Sequence, residues 1–155
     1  MKISRVEVLC ANRAVYAKVY TDNGLYGIGE SGAWGLLAAS GEAIKMFGEY
    51  LVGQDPLDIE HHWQYMYRFS HFRGAAVMGA ISALDEALYD IAGKFYGVPV
   101  YRLLGGKCRD KVRVYNHTAG RTEEELIENA IKGKEEGFTA LGLSLIHISE
   151  PTRPY

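Results

Sequence analysis

Strict alternation of apolar and polar positions marks the start of the chain. Residues 15–20 place Val, Ala and Val between Tyr, Lys and Tyr, the period-2 pattern of a half-buried strand. Residues 3–8 predict a strand before it, and residues 25–30 predict one after it. Asp22-Asn23-Gly24 between the second and third supplies residues that tolerate positive φ in a tight turn. The pattern therefore predicts a three-stranded antiparallel meander.

Helical spacing replaces this alternation from about residue 40. Ser40 is predicted to cap a helix that ends before Gly53, and Asp55-Pro56 to begin a second one. The third and longest helix is predicted from about 75 to 95, and a short fourth helix follows at residues 100–104. The third helix is predicted from an apolar stripe at helical spacing: Val77, Ile81, Leu84, Leu88, Ile91 and Phe95.

The pattern changes again beyond a boundary near residues 105–110. The segment KVRVYNHT, residues 111–118, predicts a strand, and FTALGL, residues 138–143, predicts another. Between them, Thr122 and Glu125 fit the capping box T-x-x-E, which opens a helix to about Glu136. This order is one β-α-β unit, the building block of a parallel sheet. A single unit leaves most of such a sheet open.

Composition excludes several classes of protein. The 155 residues are 48% hydrophobic and 23% charged, as is ordinary for a soluble domain. A net charge of −2 gives no reason to expect nucleic acid or an anionic membrane as partner. No apolar run approaches the roughly 20 residues that span a bilayer, and the N-terminus lacks the pattern of a signal peptide. Cys10 and Cys108 have neither zinc-site nor redox spacing, so we expect reduced thiols in a cytoplasmic protein.

Gly27 to Gly32 match the G-x-G-x-x-G pattern of dinucleotide-binding loops. The preceding strand is, however, the third of a meander, and Gly35 and Ser40-Gly41 interrupt the residues that follow. No helix is therefore predicted to start at Gly32 and direct its N-terminus at a phosphate. We interpret these glycines as belonging to a strand end and a loop.

Two further clusters have simpler interpretations than a metal site. His61-His62 are adjacent on a predicted helix and point about 100° apart, so they do not chelate one metal together. A packed or solvated pair is favoured. Glu86, Asp90 and Lys94 follow one another at i,i+4 spacing, which favours pairing at a surface or domain interface over acid–base chemistry.

His117 and Trp34 remain as candidates for function. His117 ends a strand of parallel type, and the C-terminal ends of strands line the active site in α/β barrels. A structural role for this histidine is the alternative. Trp34 lies in a candidate loop, where packing alone could account for it.

A family resemblance is carried by the run SALDEALYDIAGKFYGVPVYRLLGG. It resembles the linking segment of the enolase superfamily, in the mandelate racemase and muconate lactonizing branch. Members read close to A-x-D-x-A-L-W-D-I-x-G-K and G-x-P-x-x-x-L-L-G-G, and Tyr89 here replaces the usual tryptophan. KISRVEV, TDNGLYGIGE and LVGQDPLDIEHHWQYMYR also fit. YLVGQDP, MYRFSHFRGAAVM and VYNHTAG are most similar to sugar-acid dehydratases of the galactonate and mannonate type. The resemblance covers about residues 1–143.

The resemblance implies an N-terminal α+β capping domain, residues 1–110, whose three-stranded antiparallel meander and helices precede a barrel. Residues 111–143 would be the first β-α-β unit of a truncated (β/α) TIM-like barrel. The implied reaction removes the proton α to the carboxylate of a small sugar acid, such as galactonate, and then expels the β-hydroxyl as water. Mg²⁺ would sit on acidic residues of the third to fifth barrel strands. The resemblance therefore places no metal ligand or main catalytic residue in this chain, which by itself is expected to be inactive.

Substrate contacts are implied at two positions. His117 falls where mannonate-type dehydratases carry a substrate-contacting histidine, and Trp34 falls in the capping loop that faces the substrate. Gly142 stands where the family often places a lysine or arginine on the second barrel strand. The parent protein is expected to be a homo-oligomer. A racemase or cycloisomerase of the same superfamily, or a non-catalytic α+β binding module, is the alternative.

The last twelve residues have a different character. LSLIHISEPTR resembles the translation of a transposase-type sequencing-library adapter read in frame. We therefore expect an authentic sequence to about residues 141–143 and an artificial tail at residues 144–155.

Overall fold

A computed structural model describes residues 1–143 of the chain, so the expected artificial tail lies outside the described residues. The chain divides into two compact units, Met1–Lys107 and a second that begins at Cys108. Across residues 1–143, none of the helices combines the length and apolarity that a bilayer crossing requires.

The first unit begins with a three-stranded sheet. The strands β1 (Ile3–Ala11), β2 (Ala14–Thr21) and β3 (Tyr26–Ser31) lie in the order β1-β2-β3, and both pairs are antiparallel. Between β2 and β3, the amide of Thr21 donates to the carbonyl of Leu25 at 2.9 Å, which closes the predicted turn. The predicted meander is confirmed.

Four helices follow the sheet. They are α1 (Leu37–Leu51), α2 (Ile59–Arg68), α3 (Ala75–Tyr96) and α4 (Val100–Leu103). The predicted long third helix is confirmed, and Gly97 in the left-handed conformation ends it by donating its amide to the carbonyls of residues 93 and 94.

Two predicted helix starts are wrong. The helix α1 begins at Leu37, so Ser40 lies inside it, and its buried hydroxyl is engaged with Ser31 instead of capping. The helix α2 begins at Ile59 rather than at Asp55-Pro56. The carboxylate of Asp55 accepts from the amide of Leu57 at 3.0 Å, which closes a turn ahead of the helix. In both cases the polar side chain forms a hydrogen bond with a group other than the helix amide that the local spacing predicts.

The core lies between one face of the sheet and the helices α1 and α3. Since β2 is the central strand, its inward side chains are covered from both helices. The side chains that share this core are each at most 2% exposed: Val15, Ala17, Val19, Ile44, Phe47, Leu51, Ile81, Leu84, Leu88 and Ile91.

The glycines of β3 allow this strand to lie directly on α3. A Cβ atom on Gly27 would overlap the backbone carbonyl of Ala87, and one on Gly29 would overlap that of Ala83. The interpretation of the glycines as strand-end and loop residues therefore needs correction, because Gly27 and Gly29 lie within β3 and have a packing role. Gly32 lies in the loop, with open space around it.

Side chains of α3 also satisfy the free edge of β3. The amide of Ile28 donates to the carboxylate of Asp90 at 3.1 Å, and the amide of Glu30 donates to the carboxylate of Glu86 at 2.9 Å. An unpaired strand edge otherwise presents its amides for association with other chains. The predicted pairing of these acids is thus a pairing with the sheet.

Lys94 completes this edge. Its ammonium donates to the carbonyl of Tyr26 at 2.6 Å and to the carboxylate of Asp90 at 2.8 Å. The predicted i,i+4 pair of Asp90 and Lys94 is confirmed. Both side chains are partly exposed, so their mutual attraction alone contributes little to stability.

The second unit contains the predicted β-α-β order. The strand β4 (Asn116–Thr118), the helix α5 (Glu123–Glu135) and the strand β5 (Leu141–Leu143) follow one another, and the two strands are parallel. Thr122 caps α5 by accepting from the amide of Glu125 at 3.2 Å, which confirms the predicted cap. The strand β4 is shorter than predicted, since residues 111–115 are outside any strand. Within residues 1–143, the three residues of β5 pair with it.

Replacing Gly29 with alanine tests the contact between β3 and α3. Because the added Cβ would overlap the carbonyl of Ala83, Gly29→Ala should lower the free energy of unfolding by about 1–3 kcal/mol. Urea unfolding followed by circular dichroism measures this change. The control is Gly32→Ala, whose Cβ meets nothing within 4 Å and which should stay within about 0.5 kcal/mol of the wild type. Equal effects at both positions would contradict the packing role.

Asp85 makes the stability of the first unit depend on pH. Burial raises the pKa of this half-buried carboxyl above its ordinary value of 3.8, and the charges of Glu60 and Glu86 raise it further. The folded state therefore binds more protons than the unfolded state between the two pKa values, and stability falls as pH rises through that window. Asp85→Asn should then unfold at higher urea than the wild type at pH 7, with the difference vanishing below the ordinary pKa.

The matched control for Asp85 is Glu49→Gln on the exposed face of α1, which removes the same charge from a solvated position. It should leave the urea midpoint nearly unchanged at both pH values. An Asp85→Asn variant that is less stable than the wild type at pH 7 would show that the carboxylate makes a favourable contact, contrary to this prediction.

Candidate functional site

Trp34 lies in a short loop, residues 32–36, between β3 and α1. The amide of Trp34 donates to the carbonyl of Gly32 at 2.9 Å, and the amide of Leu36 donates to the carbonyl of Ala33 at 3.0 Å. Gly35 adopts φ +77°, a conformation that L side chains rarely adopt. Ala33 points into the protein at 4% exposure, whereas the indole of Trp34 is 91% exposed. The turn therefore holds the indole outward.

The last residue of β3, just before this loop, contacts a residue of the first turn of α1 in the interior. The hydroxyls of Ser31 and Ser40 are 2.6 Å apart, and both serines are at most 2% exposed. Gly79 of α3 leaves room for this pair, since a Cβ there would lie 2.5 Å from the Ser31 hydroxyl and 3.0 Å from the Ala33 methyl. The loop of Trp34 is thus anchored by a buried polar contact that α3 covers.

A cavity of about 520 Å³ adjoins the loop, lined by Arg13, Trp34, Gly35 and Leu37. Arg13 belongs to the turn between β1 and β2, and Asn12 before it adopts φ 52°. Sequence reasoning missed Arg13. In an antiparallel meander the first turn and the end of the third strand lie at the same end of the sheet, and this topology is the signal that could have found it.

His117 lies on the face of the parallel pair that is opposite to α5. Its neighbour Asn116 faces the helix, because a Cβ on Gly133 of α5 would lie 2.8 Å from the Asn116 amide nitrogen. Thr118 shares that face and is 2% exposed. Side chains alternate along a strand, so the exposed imidazole of His117 points away from the helix. In a barrel the helices lie outside, and this opposite face is the interior.

Tyr115 accompanies His117 on this face, a contact that sequence reasoning did not identify. The two ring centroids are 5.3 Å apart. A Cβ on Gly142, which pairs with His117 in the sheet, would lie 2.5 Å from the Tyr115 ring. The phenol ring therefore occupies space that a lysine or arginine at position 142 would need. The spacing of two residues in YNH is the signal that places both rings on one face.

The adjacent histidines are not a metal site. His62 is 1% exposed, and its Nε2 donates to the carbonyl of Asp55 at 2.8 Å, since a carbonyl only accepts. In the neutral ring, Nδ1 then accepts from the hydroxyl of Tyr50 at 3.0 Å. Burial raises the pKa of Tyr50, which keeps this hydroxyl protonated. His61 is exposed, so the expected packed or solvated pair is confirmed.

Within residues 1–143, no group of three or more His, Cys, Asp or Glu side chains is placed to hold a metal ion. Cys10 and Cys108 are free and exposed. Trp34 belongs to the first unit and His117 to the second. Their roles in substrate binding stay predictions.

Comparison with known families identifies the first unit. Residues 2–105 match the model of the mandelate racemase/muconate lactonizing enzyme N-terminal domain. This match covers well over half of the chain, and its end falls close to the boundary at Lys107.

Curated relatives match both units. A D-galactonate dehydratase from Variovorax paradoxus is 40% identical over 146 residues, which cover 93% of this chain and 38% of the relative. A D-mannonate dehydratase from Caulobacter vibrioides is 41% identical over 143 residues, 90% of this chain and 36% of the relative. The chain thus spans less than two fifths of the length of these relatives.

Solved structures share the fold. An enolase from Pantoea ananatis with bound D-gluconate and Mg has a TM-score of 0.83 at 35% identity, over 92% of this chain and 36% of that one. A member of the enolase superfamily from Salmonella Typhimurium has a TM-score of 0.85 at 32% identity, over 94% and 42%. The capping-domain fold and the start of a barrel, both predicted from the sequence, agree with these structures. The chain therefore belongs to the mandelate racemase/muconate lactonizing enzyme family of the enolase superfamily.

Proposed function

We propose that the chain is the N-terminal part of a longer sugar-acid dehydratase that acts on an aldonate such as D-galactonate. The observation that carries the proposal is the identity of about 40% to D-galactonate and D-mannonate dehydratases, which extends through both units. Residues 1–110 would serve as the capping domain and residues 111–143 as the start of the barrel. The division of the chain at Lys107 supports this assignment.

The proposed reaction is a β-elimination. A base removes the proton at the carbon α to the carboxylate, the electron pair forms a carbon–carbon double bond, and the β-hydroxyl leaves as water after it is protonated. The resulting enol tautomerises to a 2-oxo-3-deoxy acid. Mg²⁺, when bound, would stabilise the negative charge that develops on the carboxylate. Among residues 1–143, no three His, Cys, Asp or Glu side chains are grouped to hold a metal ion, so no step of the reaction is assigned to a metal bound by these residues.

Two side chains of this chain would bind the substrate. His117 is exposed on the barrel-interior face of β4, where a neutral imidazole can exchange one hydrogen bond with a sugar hydroxyl. The protonated ring would favour the carboxylate or the departing hydroxyl. Trp34, held outward by its anchored loop, would cover the substrate from the capping domain and exclude water.

A racemase or cycloisomerase of the same family is the second candidate, because the family model takes its name from such enzymes. These reactions would share the removal of the α-proton and differ in the fate of the carbanion. We further propose a cytoplasmic homo-oligomer, and the two exposed free thiols support the reducing compartment. A non-catalytic binding module would show none of these reactions.

A chimeric enzyme tests the proposed activity. Residues 1–137 of this chain replace their counterpart in the D-galactonate dehydratase of Variovorax paradoxus, with the junction in the turn at Gly137 after α5. We expect formation of the 2-oxo-3-deoxy acid from D-galactonate or another six-carbon aldonate when Mg²⁺ is supplied. Mass spectrometry in deuterated water separates dehydration from racemisation, since racemisation incorporates deuterium without loss of water. A folded chimera that is inactive on all six-carbon aldonates would contradict the proposal.

The role of His117 is tested in the same chimera. His117→Ala should lower kcat/KM by about 10- to 100-fold, the loss expected for one hydrogen bond with a polar or charged partner. The melting temperature should change little, because an exposed strand-end side chain contributes little to the core. His61→Ala on the exposed face of α2 is the matched control and should leave the kinetics unchanged. If His117→Ala instead unfolds the protein while the folded fraction keeps normal kinetics, the histidine is structural.

A further inference from the structure

We propose that Asn23, in the turn between β2 and β3, is a site of spontaneous covalent modification. Its carboxamide cyclises onto the backbone nitrogen of Gly24 and is then hydrolysed to a carboxylate, and the hydroxyl of Thr21 assists the first step. Asparagine is a thermolabile residue, and residues 22–24 are all exposed to water. The site depends on the geometry of this turn and is independent of the proposed function.

The reaction needs no co-reactant except water. The nitrogen of Gly24 attacks the side-chain carbonyl carbon of Asn23 and gives up its proton, while the carbonyl bond opens to an oxyanion. When the carbonyl re-forms, the side-chain nitrogen takes up that proton and leaves as ammonia, so that a cyclic imide remains. Water then opens the imide at either of its two carbonyls. The products are aspartate at position 23 and its β-linked isomer, in which the main chain runs through the side-chain carbon.

Gly24 presents the attacking nitrogen without a side chain in the way. Backbone atoms can approach another group most closely at glycine, and a Cβ atom on Gly24 would meet nothing within 4 Å. The amide of Gly24 donates to the carbonyl of Thr21 at 3.3 Å, which is longer than the most common length of about 2.9–3.0 Å. Little hydrogen-bond energy is therefore lost when this nitrogen turns towards the carboxamide.

Two donors of the turn are directed at the side-chain oxygen of Asn23. Its Oδ1 accepts from the hydroxyl of Thr21 at 2.6 Å and from the amide of Leu25 at 3.3 Å. Since a backbone amide donates, the atom that it contacts is the oxygen of the carboxamide and not the nitrogen. Donors placed at an oxygen that becomes negative stabilise the transition state of acyl transfer. The folded turn therefore favours attack on this carbonyl.

The hydroxyl of Thr21 is free to respond to the developing charge. It has one proton and two acceptors within reach, the Oδ1 of Asn23 and the carbonyl of Leu25 at 2.8 Å. That carbonyl also accepts from the amide of Thr21 at 2.9 Å, so it keeps a donor when the hydroxyl proton moves to Oδ1. Thr21 is 6% exposed, and a hydrogen bond is stronger where water is excluded.

The product differs from the original turn in charge and in connection. The new carboxylate adds one negative charge beside Asp22, whose own carboxylate accepts from the amide of Lys2 at 2.9 Å. The β-linked isomer adds an atom to the main chain between β2 and β3, where the bond from Thr21 to Leu25 closes the turn. Modified molecules are therefore more acidic and can be separated by anion exchange.

The other asparagines of the chain are internal controls for the test. Each of them precedes a residue with a side chain, which hinders the attacking nitrogen: Asn12 precedes Arg13, Asn116 precedes His117 and Asn129 precedes Ala130. The full 155-residue chain is incubated folded at neutral pH, and peptides are mapped by mass spectrometry. Conversion raises the mass of a peptide by about 1 Da, and a methyltransferase specific for β-linked aspartate labels the isomer. We expect Asn23 to be converted at least about tenfold faster than the other three.

Variants decide whether the turn assists the reaction. Thr21→Val removes the hydroxyl and should slow the conversion of Asn23 by about threefold to tenfold in the folded protein, less than in an enzyme because water reaches the exposed carboxamide. The same variant should match the wild type when both are unfolded in urea. Thr21→Ser keeps the hydroxyl and should react like the wild type. Circular dichroism confirms that each variant is folded.

Thr118→Val is the matched control, because it removes a buried hydroxyl that has no hydrogen-bond partner among the described residues. It should leave the conversion of Asn23 unchanged. Conversion of Asn23 no faster than that of the other asparagines would overturn the proposed site. A Thr21→Val variant that is not slowed when folded, or is slowed equally in urea, would overturn the role of the turn.

Discussion

The close approach of β3 to α3 is the contact on which the first unit depends. Gly27 and Gly29 have no side chain, and a methyl group at either position would overlap a backbone carbonyl of the helix. At this separation the side chains of Glu86 and Asp90 reach the free edge of β3 and accept from its amides. The contact between β3 and α3 thus buries one face of the sheet under apolar side chains. The same contact brings the carboxylates of α3 to the free edge of β3. Larger side chains in place of these glycines would move β3 away from α3 and weaken both effects. The carboxylates of Glu86 and Asp90 would then lie too far from the amides of β3 to accept from them.

The same packing positions the candidate site. Gly79 of α3 leaves space over the end of β3, and in that space the hydroxyls of Ser31 and Ser40 meet at 2.6 Å. Their contact joins the end of β3 to the first turn of α1, on either side of the loop that carries Trp34, and backbone hydrogen bonds close the turn of the loop itself. The β1–β2 turn ends beside it through the antiparallel order of the strands, which brings Arg13 to the same cavity. The packing of α3 on the sheet therefore both stabilises the core and positions the exposed indole of Trp34.

In the second unit, side chains alternate along the short strand β4, so that some face the helix α5 and others face away from it. Asn116 faces α5, whereas Tyr115 and His117 face away from it with ring centroids 5.3 Å apart. Gly142 on the neighbouring strand is small enough to lie under the Tyr115 ring. An aromatic ring thus covers the position where the family often has a basic residue.

The sequence alone determined the features that few neighbouring residues encode. Alternation predicted the meander, a long apolar stripe predicted α3, the spacing of Thr122 and Glu125 predicted the cap of α5, and a specific linking motif indicated the family. Where several partners were available to a side chain, the tertiary structure determined which of them it contacts. Ser40 contacts Ser31 instead of capping a helix. Within residues 1–143, the strand β4 is limited to the residues that pair with β5. The order of the strands places Arg13 beside the candidate site. The carboxylates of α3 bind amides 56 and 62 residues away, and no local pattern records such contacts because they exist only once the sheet and the helix have packed.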